Sequence, residues 1–118
     1  MKELLQLFSE AEAACNQGKS TADFEAPFVR LLQYIKEHPE SRNAAEGRFL
    51  AGLHARTTPW ELISFCMHEL RWEPVRQAIE QLMRHATDPR NQRVLRLIVE
   101  SFDDQWDERQ LYSYYSRS

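Results

Sequence analysis

The chain has 118 residues, 42% of them hydrophobic and 28% charged, with a formal net charge of −3 and only three glycines. Those figures exclude a disordered chain and fit one globular domain with a real core, and the dominance of Leu, Ala, Glu, Gln and Arg over Val, Thr and Gly favours helix. A mildly acidic chain has no general attraction for phosphate backbones, so nucleic-acid contact would need a local basic patch.

Leu4, Phe8, Ala11 and Cys15 recur at helical spacing before Gly18, which predicts a first helix from Lys2 to Gln17. Ser20 or Thr21 is the expected cap of a second helix, with Asp23 and Glu25 in its first turn. Phe24, Phe28, Leu31, Leu32 and Ile35 form its apolar stripe, Pro39 closes it, and Pro27 lies near enough to the start to be tolerated. A third helix is expected over about 41–55, where Gly47 and Gly52 each cost about 1 kcal/mol. Its Ala44, Gly47, Ala51 and Ala55 share a face, and such small side chains would let a neighbouring backbone approach.

Thr58-Pro59-Trp60-Glu61 reads as a capping box with proline at the first helical position. The segment that follows, Leu62 to Leu70, is apolar nearly all round and predicts the central, most buried helix. A fifth helix starts near Glu73-Pro74 with Val75, Ala78, Ile79 and Leu82 on one face. A sixth follows Asp88-Pro89, with Val94, Leu97, Ile98 and Phe102 expected to face the core. The tail from Asp103 to Ser118 is acidic, then aromatic, and reads as a short last helix and a loosely packed end.

These elements predict an all-α fold, one domain over 1–118, arranged as a multi-helix bundle of five to seven helices. Pro27-Phe28-Val29-Arg30 with Leu31, Leu32 and Ile35 is echoed by Pro74-Val75-Arg76 with Ala78, Ile79 and Leu82. Segment 58–86 therefore resembles a HEAT-like helical hairpin and is expected to form the core; a plain bundle is the alternative arrangement.

Cys15 and Cys66 stand far apart in apolar-periodic segments, as two buried free thiols in a reducing compartment would; one structural disulfide is the alternative. The N-terminus carries acids too early for a signal peptide, and the longest apolar stretch is too short to span a bilayer. A cytoplasmic location without membrane contact is expected.

Chemistry is poorly represented. Glu61, Ser64 and His68 share one helix face, but parallel side chains on adjacent turns do not converge on a substrate as a triad does. His38, His54, His68 and His85 lack metal-ligand spacing, and there is no glycine-rich phosphate loop. No catalytic residue, metal site or cofactor is expected, and the chain reads as a non-enzyme. Arg90, Arg93 and Arg96 share a face with potential for RNA or DNA contact, although such runs are usually solvated and paired with acids.

The tail is the expected partner-binding surface; the alternative is that Trp106 and one tyrosine fold back on the core while the acids are simply solvated. Asp103, Asp104, Asp107 and Glu108 follow closely on Glu100, while Trp106, Tyr112, Tyr114 and Tyr115 interleave or follow. Acids steer a basic target, and Trp and Tyr offer anchor area with few rotors to freeze. The stretch from Pro59-Trp60-Glu61-Leu62 to Phe65-Cys66-Met67-His68-Glu69-Leu70-Arg71-Trp72, in a small acidic helical chain, resembles bacterial immunity proteins of toxin–immunity systems, including contact-dependent growth inhibition. The resemblance implies a protein partner, a basic toxin domain, and assigns no residues. A helical adaptor or assembly subunit is the alternative function.

Overall fold

The computed structural model describes residues 2–18 and 21–116. In chain order the helices are α1 (Lys2–Gln17), α2 (Thr21–Glu37), α3 (Arg42–Ala55), α4 (Trp60–Leu70), α5 (Glu73–His85), α6 (Pro89–Glu100) and α7 (Ser113–Ser116). Short 3-10 segments, Pro39–Ser41 and Asp107–Leu111, precede α3 and α7. No strand occurs among the described residues, and the architecture is an all-α bundle in one domain.

The stripes read in α1 and α2 are the buried ones: Leu4, Phe8 and Ala11 from the first, Phe28, Leu31, Leu32 and Ile35 from the second. Of the two caps expected for α2, Ser20 lies outside the described residues, and Thr21 is instead the first helical residue. Pro27 sits inside the helix beyond its first turn, so α2 continues through a position that lacks an N–H donor.

From Leu62 to His68 every residue of α4 is buried, which places this helix at the centre, against α1, α2 and α6. The hairpin expected over 58–86 is not the packing unit. The extensive pairings are α1 with α2 and α5 with α6, because α4 is enclosed by three other helices and the one-sided stripe of α5 turns to α3 and α6. Two residues make that turn. Arg71 ends α4 in the left-handed conformation (φ 49°, ψ 46°), and Trp72 points inward beneath Arg42, whose guanidinium lies 5.1 Å from the ring centroid. Leu82, read on the apolar face of α5, is only partly buried.

Two further expectations need correction. The small-residue stripe of α3 does not approach a backbone: Gly47, Ala51 and Ala55 are exposed, and Ala45, Phe49, Gly52 and Leu53 form the buried face. Nor is Thr58 a helix cap. Pro59 holds that position without a side-chain bond, because the Thr58 hydroxyl donates instead to Glu12 Oε2 at 3.0 Å. The other Glu12 oxygen takes Arg48 at 2.8 Å, so one half-buried carboxylate ties α1 to α3 and to the α3–α4 turn. Asp88 does cap α6, accepting from the Arg90 amide at 3.0 Å. In α6, Leu95 and Ile98 are buried, whereas Val94, Leu97 and the following Phe102 are half-buried.

Candidate protein-binding surfaces

The C-terminal segment folds back over α2 and α4 as a cap. Trp106 and Tyr112 are 3% and 4% exposed, so the free aromatic anchors expected at these two positions do not exist in this conformation. Phe65 gathers the rings of Tyr112, Tyr114 and Tyr115 at 4.8, 5.8 and 5.0 Å, and Phe28 at 5.5 Å. Offset and edge-on aromatic pairs of this kind add to the burial of their area. The half-buried tyrosines are also committed: the Tyr115 hydroxyl donates to the Phe65 carbonyl, and that of Tyr114 to Glu69 Oε2 at 2.8 Å. Glu69 takes Lys36 of α2 at 2.9 Å as well.

His68 lies beneath this cap between Trp106 and Tyr115, at ring distances of 4.9 and 4.7 Å, with Nδ1 donating to the Ser101 carbonyl at 2.8 Å. Burial holds its pKa below the usual 6.5 against the opposing hydrogen bond, and Arg71 and Arg109 push the same way as burial. The triad-like face is thereby dismantled. Ser64 is buried without a hydrogen-bond partner among the described residues, and Glu61 bonds Cys15 instead. Burial and the Glu61 carboxylate push the Cys15 thiol up to about 12, and burial raises Cys66 too, which makes both poor nucleophiles.

Outside the cap are the acids. Glu100, Asp103, Asp104 and Asp107 are exposed and Glu108 is half-buried. Asp104 is paired with Arg71 at 2.5 Å, a contact that holds its carboxyl below the usual range. Asp103 accepts from the Gln105 amide at 2.9 Å, and Asp107 and Glu100 have no side-chain partner among the described residues. Burial, with Glu100 and Glu61 nearby, raises Glu108. The predicted acids are thus brought together on one face, while the aromatic residues that accompany them in sequence form its foundation.

A second feature lies along α4 and α6. The two helices run in the same direction, since Ile63 shares a wall with Val94 and Leu95 while His68 meets Ser101. The acidic cap covers His68 and reaches back, at Glu108, toward Glu61 in the first turn of α4. The start of α4, α6 from Arg90 to Ile98 and the last turn of α3 enclose a half-open cleft of about 310 Å³. Its floor is Leu53, Ile63, Leu95 and Ile98; Trp60 and Val94 are half-exposed on its walls, and Arg56 and Arg90 stand at its lip. Neither guanidinium has a hydrogen bond, ion pair or ring contact among the described residues, and the same holds for Arg93 and Arg96. The acid pairing usual for such a run is therefore missing.

Arg90 and its neighbours were legible in the sequence; the cleft was not. Arg56 takes the left-handed conformation (φ 59°, ψ 35°) at the end of α3, and no glycine or asparagine in Arg56-Thr57-Thr58-Pro59 signals it. No family model matches the chain, and no curated protein or solved structure matches it either.

Proposed function

We propose that the chain is a non-catalytic protein-binding module that neutralises a basic protein partner, in the manner of a small immunity protein, and that the acidic cap is its contact surface. The observation that carries this reading is the mounting of the acids. A free tail would lose chain entropy on binding, whereas Trp106 and Tyr112 already hold these carboxylates on a packed platform. Charges that are fixed and solvated steer association without a large ordering cost. The placement of Glu100 supports the same reading, since a carboxylate at the end of a helix opposes the macrodipole, a local cost of about 0.3–1 kcal/mol. The raised thiols and the enclosed Ser64 and His68 support a role without covalent chemistry. The test is direct binding between the purified chain and the product of the neighbouring gene. A complex that weakens when Asp103, Asp107 and Glu108 become amides supports the reading; no complex, or one indifferent to those changes, defeats it.

A further inference from the structure

Arg56 and Arg71 share an uncommon backbone, left-handed at the end of a helix, where an L side chain costs about 1–2 kcal/mol and glycine costs nothing. Their side chains differ in what they do. Arg71 offsets its strain: Nε donates to the His68 carbonyl at 2.9 Å and a terminal nitrogen binds Asp104. The Arg56 side chain has no hydrogen bond, ion pair or ring contact among the described residues, only the general attraction of a helix C-terminus for a cation. Arg90 is placed still less favourably, a cation in the first turn of α6, where the dipole prefers an acid. Both residues cost the fold something, both are unpaired, and both flank the same apolar cleft.

We infer that this cleft docks an acidic segment of a partner protein that inserts one large apolar side chain between Arg56 and Arg90. Charge complementarity selects the occupant. Arg56 and Arg90 outweigh the single carboxylate at the rim, Asp88, which is occupied in capping α6. Size selects a side chain over a whole small molecule. At about 310 Å³ and half-open, the cleft is at the lower limit of ligand sites and does not enclose a drug-sized body. Trp and Arg around an apolar floor are also the residue types that concentrate energy at protein interfaces.

The experiment uses the full chain and a fixed set of blocked hexapeptides, with Asp and Glu flanking a central Ala, Leu, Phe or Trp. Binding is followed by calorimetry and by amide shifts of Trp60, Asn91 and Val94. Peptides with a large centre should bind about tenfold more tightly than the alanine peptide, and replacing their acids by amides should remove that binding. Arg56→Gly and Arg90→Gln should each weaken it about tenfold, the loss of one charge-assisted hydrogen bond, while leaving the melting temperature unchanged or raised. A stability loss in Arg56→Gly would show that the arginine serves the fold, and would overturn the inference. So would equal binding of acidic and amide peptides, no preference for a large centre, or shifts confined to the acidic cap. Octanoate that saturates the cleft while no peptide does would overturn the choice of a protein segment.

Discussion

Gly47 and Gly52 lie in one helix and look alike in sequence, but their surroundings give them opposite consequences. Around Gly47 a β-carbon would meet nothing within 4 Å, so Gly47→Ala should stabilise by about 1 kcal/mol through chain entropy alone. At Gly52 the same atom would fall 1.8 Å from Thr58 Oγ1. That hydroxyl is already bound to Glu12, so Gly52→Ala must displace the turn and its network and should destabilise by about 1–3 kcal/mol. Urea unfolding of the two variants checks both signs. His68 supplies a pH test. Its folded pKa is depressed, so its contribution is fully present above the ordinary 6.5 and is lost as the pH falls below that value toward the folded one. His68→Asn should flatten the stability profile in that window. Identical profiles would mean that the imidazole is not enclosed as described.

At the scale of elements, periodicity was the legible signal. Leu4, Phe8 and Ala11, or Phe28, Leu31, Leu32 and Ile35, announce a face by spacing alone, and the uniformly apolar run after Leu62 announces a central helix. Partnership between helices was not legible, because the expected α4–α5 hairpin depended on a two-residue turn whose left-handed Arg71 leaves no mark in sequence. The tail hid its packing for a related reason. Phe102, Trp106 and Tyr112 lie in turns and beside a 3-10 segment, and Tyr114 and Tyr115 in the four-residue α7, too short to show a period, so the acids were visible in sequence and the packing of the aromatic residues was not. Trp106→Ala should therefore act on folding, with a loss of about 3–5 kcal/mol in thermal or urea unfolding and exposure of the His68 ring. A shortened complex lifetime at unchanged stability would restore Trp106 to the surface.

Across the whole molecule, two charged patches stand outside the packing. The radius of gyration, 13.5 Å, is that of a single packed domain of this length, about 13.5 Å. Arg56 and Arg90 stand at the cleft without partners among the described residues, and Glu100, Asp103 and Asp107 are exposed on the acidic cap. Arg90 in the first turn of α6 and Glu100 at its end both run against the dipole of that helix, and neither adds to the core. The proposed function rests on the acidic cap. It is tested most directly by stopped-flow association with a basic toxin domain that the chain binds, over a range of salt, for the parent chain and for Asp103→Asn/Asp107→Asn/Glu108→Gln. Steering predicts an association rate for the variant about tenfold lower at low salt, a flatter salt dependence and an unchanged melting temperature. Equal rates and equal salt slopes for two equally folded proteins would contradict it.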